Sequence, residues 1–80
     1  ERIAFLTGVT ITAIDRKGLL QELTRIISEE MDLNMRAITL EASEGVGRGL
    51  IMLYVHSLSD LEVLISRIRA IEGVEQVQRV

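Results

Sequence analysis

The sequence contains no cysteine and no proline, and aromatic residues make up only 2% of its 80 positions. Without cysteine the chain has no disulfide, no thiolate ligand for zinc and no thiol nucleophile. The scarcity of aromatic rings disfavours modules that stack nucleic-acid bases on aromatic side chains. The lone histidine, His56, would need carboxylates to complete a metal site, so we interpret it as a surface residue at a strand end. We therefore expect no metal and no other cofactor.

No apolar run approaches the roughly 20 residues that a membrane-spanning helix needs, and no signal peptide opens the chain. Together with the missing cysteines, this favours a cytoplasmic protein without a membrane partner. The net charge of -3 weakly repels nucleic acid, and the basic residues are scattered among acids. Residues 1–80 are too few for a second core, so we predict one domain. Because Glu1 stands where Met would open a complete chain, we predict a piece of a larger protein.

Hydrophobic residues nevertheless make up 48% of the chain, and their spacing predicts its elements. Strands are indicated where apolar residues alternate, and helices where they recur every three or four positions. Ser59 and Glu62 fit a capping box at the start of the second helix, and Gly73 suits its end. The predicted elements are a strand over 8–14, a helix over 19–31, a strand over 35–42, a flexible glycine-rich hairpin connection over 43–49, a strand over 50–55, a helix from Ser59 to before Gly73, and an edge strand over 74–80.

The order βαββαβ predicts an α+β fold of the ferredoxin-like type, a four-stranded antiparallel sheet with both helices on one face. In this arrangement the third strand is central, and Leu50, Met52 and Tyr54 point away from the helices. An apolar patch of this kind is normally covered. A small domain buries only about 60% of its unfolded surface, so association would add stability. We predict that these three residues form a homodimer interface, with a neighbouring domain as the alternative cover.

Nucleophilic and acid–base chemistry finds no support in the sequence. The serines have no base placed by a recognisable motif, and Glu29 and Glu30 are adjacent on a helix, so their side chains diverge by about 100°. The glycines at 45, 47 and 49 join two strands, whereas a phosphate-binding loop leads from a strand into a helix. We therefore predict no catalytic residue.

The segment from Asp15 to Leu20 is the place where local physics favours a ligand. It passes from the first strand into the first helix, and Gly18 lets the backbone turn tightly and lets another group approach closely. Free amides at such a turn favour a carboxylate, and Asp15 could pair with an ammonium. The competing interpretation is structural: Asp15 caps the helix and Gly18 makes the turn.

Several segments resemble an ACT domain over nearly the whole chain: Asp15-Arg16-Lys17-Gly18-Leu19-Leu20, Ile26-Ile27-Ser28, Asn34, Ser59-Asp60-Leu61, Leu64-Ile65 and the stretch from Ile71 to Arg79. The Asp-Arg-x-Gly-Leu-Leu turn and the Gly-Val-x-x-Val-x-Arg ending are similar to the C-terminal ACT domain of the RelA/SpoT family. These long enzymes make and hydrolyse the alarmone (p)ppGpp. Lys17 stands where that family often has proline, which loosens the loop.

The resemblance implies a non-catalytic regulatory module of a GTP pyrophosphokinase acting in the stringent response, with Arg79 close to the natural C-terminus. ACT domains typically pair as homodimers and sense amino acids. By position, the loop residues Asp15, Arg16, Lys17, Gly18 and Leu19 would bind the effector carboxylate, and Asn34 would meet the ligand or the partner chain. The alternative is a ribosome- or tRNA-docking module without a small ligand, which would need basic faces built from Arg36, Arg48 and Arg79.

Overall fold

The computed structural model describes residues 3–80, which fold into the predicted βαββαβ order. The elements are β1 Phe5–Ile14, α1 Leu19–Arg25, a π-helical turn Ile26–Glu30, β2 Asn34–Ser43, β3 Val46–Val55, α2 Leu58–Arg69 and β4 Val74–Arg79. The strands form one antiparallel sheet in the order β2-β3-β1-β4, so β3 and β1 are central. The α+β ferredoxin-like prediction is confirmed.

The two faces of the sheet differ as the alternation predicts. On β1, Val9 and Ile11 are buried while Thr10 between them is exposed. On β3, Ile51, Leu53 and Val55 are buried, whereas Leu50, Met52 and Tyr54 lie on the opposite side and keep part of their surface. The buried side chains of the sheet and both helices form one core. We call the side of the sheet without helices the outer face.

The hairpin between β2 and β3 is much shorter than the sequence suggests. The predicted connection over 43–49 is wrong, because only Glu44 and Gly45 lie outside the strands, with φ of 54° and 80°. Two consecutive residues with positive φ match the right-handed twist of the flanking strands. Gly47 and Gly49 are strand residues of β3, paired with Ala42 and Leu40. They were misassigned because glycine is depleted in most strands.

The first helix changes its winding partway. The pattern predicts one helix to Met31, but α1 ends at Arg25 and a π-helical turn follows, with the Met31 amide donating to the Ile26 carbonyl at 2.9 Å. Glu30 at the end of this turn accepts from Arg25 at 2.7 Å and from Arg67 of α2 at 2.9 Å. These exposed ion pairs contribute at most about 1 kcal/mol each. Within residues 3–80, no helix has both the length and the apolarity to cross a membrane.

The second helix starts two residues earlier than the sequence indicates. Its N-cap is Ser57, not Ser59, and the Ser57 hydroxyl accepts a hydrogen bond from the Asp60 amide at 3.1 Å. The sequence holds two overlapping capping boxes, one starting at Ser57 and one at Ser59. The earlier start wins because it adds intrahelical hydrogen bonds. Gly73 has a φ of 93°, so its predicted left-handed conformation is confirmed, but the predicted helix end is wrong because α2 ends at Arg69 with Ala70 as its C-cap.

Ser57→Ala should lower the free energy of unfolding by about 1 kcal/mol, because the Asp60 amide would lose its acceptor. Ser59→Ala is the matched control, and it should change stability by less than about 0.5 kcal/mol, since Ser59 lies exposed in the first turn. Urea denaturation of both variants measures the difference. A larger effect at Ser59 than at Ser57 would contradict this assignment of the cap.

Candidate functional site

An open groove of about 900 Å³ lies where β1 passes into α1. Its wall consists of the loop from Asp15 to Gly18, the exposed side of α1, and Leu40 from β2. The structure therefore brings five of the predicted ligand-binding residues into one concave surface: Asp15, Arg16, Lys17, Gly18 and Leu19. The groove is open to solvent and holds both charged and apolar side chains, so it suits a small polar ligand.

The loop owes its shape to Gly18. This residue has a φ of 87° and forms the N-cap of α1, with no side chain capping the helix. The prediction that Asp15 caps the helix is wrong, because Asp15 precedes the N-cap by three residues and its amide instead donates to the Gly45 carbonyl at 2.9 Å. A Cβ at Gly18 would meet only Arg16 Nη1 at 3.9 Å. Glycine is therefore required by backbone conformation rather than by space.

Backbone amides in the loop are available to a ligand. The Leu19 amide donates to the Arg16 carbonyl at 3.3 Å, and the Glu22 amide donates to the Gly18 carbonyl at 3.0 Å. Within residues 3–80, the amides of Lys17 and Gly18 donate to no other backbone group. Such unpaired donors normally bind water, and a carboxylate can replace it.

The charged side chains of the loop play different parts. Arg16 donates from Nη2 to Glu22 Oε1 at 2.7 Å, from Nε to the Glu72 carbonyl at 3.0 Å, and from Nη1 to the Lys17 carbonyl at 3.2 Å. Lys17 and Asp15 are exposed, and in the described part of the chain neither makes an ion pair. The guanidinium is thus engaged by the protein, whereas one ammonium and one carboxylate stay open to a ligand.

Asn34 does not share this groove. It opens β2 opposite Tyr54, which is also paired with Leu6 near the start of β1. The loop follows Ile14 at the other end of β1, roughly 27 Å further along the sheet. Asn34 instead lines a smaller depression with Tyr54 and His56. A small ligand in the groove therefore cannot touch Asn34 of the same chain.

The predicted interface residues share the outer face. Leu50 is 38% exposed, and Met52 and Tyr54 are half-buried. The Met52 thioether lies over Gly8 of β1, where an added Cβ would be 3.0 Å from Sδ and 3.1 Å from Cγ2 of Val80. Leu6 pairs with Tyr54 and extends the same apolar surface.

The other candidates remain dispersed. Among residues 3–80, no three His, Cys, Asp or Glu side chains approach closely enough to hold a metal ion. His56 is exposed at the bend after β3, as expected. Arg36 lies in the bulge of β2, and Arg79 lies on β4 at the opposite edge, about 14 Å away across the sheet. Arg48 on β3 faces Glu41 directly across the ladder. These three arginines do not form one basic face.

Sequence reasoning missed several residues that line the groove, and two of them, Glu22 and Leu40, matter most for its shape. Glu22 holds the Arg16 guanidinium, and Leu40 forms the wall opposite α1. The helical spacing places Glu22 on the solvent-facing side of the first helix, and no spacing rule relates it to a loop residue six positions earlier. The alternation of the second strand indicates Leu40 only as a core residue. The acidic residues of the first helical turn are the signal that could have indicated Glu22.

Comparison with known proteins identifies the fold family. The sequence model of the ACT domain matches residues 2–79. The crystal structure of the ACT domain from GTP pyrophosphokinase of Chlorobium tepidum is 32% identical with a TM-score of 0.87, covering 98% of this chain and 100% of that one. Its solution NMR structure, also 32% identical, gives a TM-score of 0.83 over 96% of this chain and 86% of that one.

A more distant likeness shows the fold alone. A homoserine dehydrogenase from Thiobacillus denitrificans is 18% identical with a TM-score of 0.79, and the match covers 100% of this chain but 18% of that one. No curated protein matches in sequence. The family model and the 32% identical structures nevertheless agree over almost every residue. The chain belongs to the ACT domain family, a family of regulatory, non-catalytic domains.

Proposed function

We propose that this ACT domain regulates a GTP pyrophosphokinase of the RelA/SpoT type, and so controls (p)ppGpp synthesis or hydrolysis in the stringent response. The observation that carries the proposal is the 32% identity to the ACT domain from GTP pyrophosphokinase of Chlorobium tepidum over 98% of this chain. The Asp-Arg-x-Gly-Leu-Leu turn and the Gly-Val-x-x-Val-x-Arg ending support it, because together they resemble the RelA/SpoT version of the ACT domain, although Lys17 stands where that family often has proline. The domain acts by dimerising and by sensing an amino acid.

The groove has the chemistry that an amino acid needs. A free amino acid carries a carboxylate and an ammonium a few ångströms apart. The unpaired amides of Lys17 and Gly18 and the open Lys17 ammonium suit the carboxylate. The Asp15 carboxylate at the other side of the loop suits the ammonium. Leu20, which is 47% exposed, and Leu40 supply apolar surface for the effector side chain.

Dimerisation is proposed through the outer face. Leu50, Met52 and Tyr54 lie at its centre, and covering them removes apolar surface from water. Contact between Asn34 and the effector would require a second copy of the chain. Since Asn34 and the groove lie at opposite ends of one chain, a ligand that touches both would have to lie between two copies. The groove lies on the helix side of the sheet and the proposed interface on the outer face, so the dimer and the effector site are separate parts of the proposal.

Titration with the twenty common amino acids, followed by amide shifts, tests the effector role. We expect at least one amino acid to shift Gly18 and Leu19 along a saturable curve at millimolar concentration, with Asn34 responding where the dimer is populated. Gly18→Ala should abolish the response, because φ of 87° strains any residue with a Cβ and the loop amides would turn away.

Gly45→Ala is the matched control for Gly18→Ala. Gly45 has a φ of 80° and open space around its Cβ position, so the conformational strain is similar, but Gly45 does not line the groove. Its carbonyl accepts from the Asp15 amide at 2.9 Å, and this bond does not involve the Cβ position. The control should therefore keep the amino-acid response. If no amino acid perturbs Gly18 or Leu19, effector sensing by this chain is refuted. Salt-sensitive binding to ribosomal RNA in its place would favour the docking alternative.

A further inference from the structure

One side chain ties three segments of the chain together beside the groove. The Arg16 guanidinium reaches its own loop at the Lys17 carbonyl, the first turn of α1 at Glu22, and the turn between α2 and β4 at the Glu72 carbonyl. The neighbouring Gly73 carbonyl accepts from the Ile14 amide at 2.8 Å, at the end of β1. The loop and the α2–β4 turn are therefore held against each other by Arg16 and by the Ile14–Gly73 backbone bond, which lies at the end of the β1–β4 ladder.

We propose that Arg16 is a positioning residue, a clasp that couples occupation of the groove to the α2–β4 turn and to strand β4. The proposal rests on the proposed function of the groove as an effector site and assigns Arg16 a different part in it. The effector carboxylate binds at Lys17 and at the loop amides. Arg16 stays on its protein acceptors and transmits the movement of the loop.

The hydrogen bonds of Arg16 favour a positioning role for this residue rather than direct binding of the effector. A guanidinium has five N–H groups in a rigid plane, and here three of them donate to acceptors on three segments. An effector carboxylate that bound Arg16 directly would have only the two remaining N–H groups, next to the Glu22 carboxylate that already holds Nη2 at 2.7 Å and would repel it. Lys17 has no such partner in the described residues, so it receives an anion without breaking a bond.

Strand β4 connects the α2–β4 turn, which Arg16 holds, to the outer face. It runs from the α2–β4 turn along β1 and ends beside Gly8, where the Val80 amide donates to the Gly8 carbonyl at 2.9 Å. There the Val80 side chain lies over Gly8 together with Met52. A displacement of the turn thus reaches the proposed dimer face through one paired strand.

Hydrogen exchange of the Ile14 amide tests the clasp without any effector. In Arg16→Gln this amide should exchange about tenfold faster than in the wild type, because the guanidinium bonds to the Glu22 carboxylate and to the Glu72 carbonyl no longer hold the turn. Arg67→Gln is the matched control. It also removes one positive charge and an ion pair at 2.9 Å, but it touches neither the loop nor the turn. Equal Ile14 exchange in the two variants would overturn the proposal.

A second variant tests the role of Arg16 in case Arg16→Gln does not fold. Glu22→Gln keeps the Arg16 bonds to the two carbonyls and removes only the charged partner, so a smaller acceleration of about threefold is expected at Ile14. Glu30→Gln is its control, since Glu30 pairs with Arg25 and Arg67 away from the loop. An Ile14 amide that exchanges equally in these two variants contradicts the clasp.

Titration separates this inference from the proposed function. With an amino acid that saturates the groove, the wild type should show shifts at Gly73 and Val74 as well as at Gly18. Arg16→Gln should keep the Gly18 shift and lose the other two. Equal shifts at Gly73 in both proteins would refute the coupling. If no amino acid binds, effector sensing fails, while the exchange rate of Ile14 still decides whether Arg16 is a clasp.

Discussion

Gly49→Ala should lower the free energy of unfolding by about 2 kcal/mol, a large fraction of the stability of a domain this small. An added Cβ would lie 2.8 Å from the Thr39 carbonyl oxygen and 3.0 Å from Cδ1 of Leu40. The first of these contacts is to the backbone of the paired strand β2, which cannot move without disturbing the ladder. Glycine at this position lets two strands and the Leu40 side chain pack closely.

Gly47→Ala provides the matched control on the same strand. Its Cβ would meet the Ala13 carbonyl at 3.6 Å and the Leu19 and Leu40 side chains at 3.9 Å, which are ordinary contacts. This variant should be neutral or more stable by up to about 0.5 kcal/mol, because alanine loses less backbone entropy on folding. Urea denaturation of both variants measures the contrast. Equal stability of the two would show that β2 and β3 can separate locally at little cost.

Met52→Glu should weaken self-association about a hundredfold, because a two-fold symmetric dimer would bury the new carboxylate twice without a partner. Met52 occupies the middle of the outer face on the central strand β3, between Leu50 and Tyr54. Sedimentation over the micromolar range should show a dimer for the wild type and a monomer for the variant. Thermal unfolding of the Met52→Glu variant at low protein concentration checks that loss of the Met52 contact with Gly8 has not unfolded the domain.

Val63→Glu is the control for Met52→Glu. Val63 is 43% exposed on α2, on the helix side of the sheet, so the same charge change there should leave the dimer intact. A wild-type chain that stays monomeric would refute dimerisation of this chain. A dimer that survives Met52→Glu would place the interface on another surface, such as a strand edge.

The spacing of apolar residues along the sequence predicts most of the fold. The alternation of apolar residues along β1 predicts that Val9 and Ile11 are buried and that Thr10 is exposed. The spacing of three and four residues in α2 predicts Leu61, Leu64 and Ile68 as core residues. Both predictions are confirmed because burial of one face is a property of each segment by itself. The order of elements then left few topologies to consider, and the central position of β3 followed from them.

The glycines of β3 and the cap of α2 depended on neighbours that local patterns do not include. Gly49 is a strand residue because Thr39 and Leu40 approach it from β2, which no window of consecutive residues records. Ser57 and Ser59 each fit a capping box, and the helix starts at Ser57, where the Leu61 amide adds a hydrogen bond to the Ser57 carbonyl at 3.3 Å. Local preferences are weak when two alternatives differ by about 1 kcal/mol, so tertiary contacts select one.

The sequence by itself determined the ACT family and the loop at Asp15 to Leu19, since those depend on residue types in order along the chain. Only the tertiary structure decided what each loop residue does. It placed the Arg16 guanidinium on the Glu22 carboxylate and the Glu72 carbonyl, and among residues 3–80 it gives Lys17 no ion pair. It also set Asn34 at the far end of the sheet. These are contacts between segments distant in sequence, and their geometry exists only once the sheet and both helices have packed together.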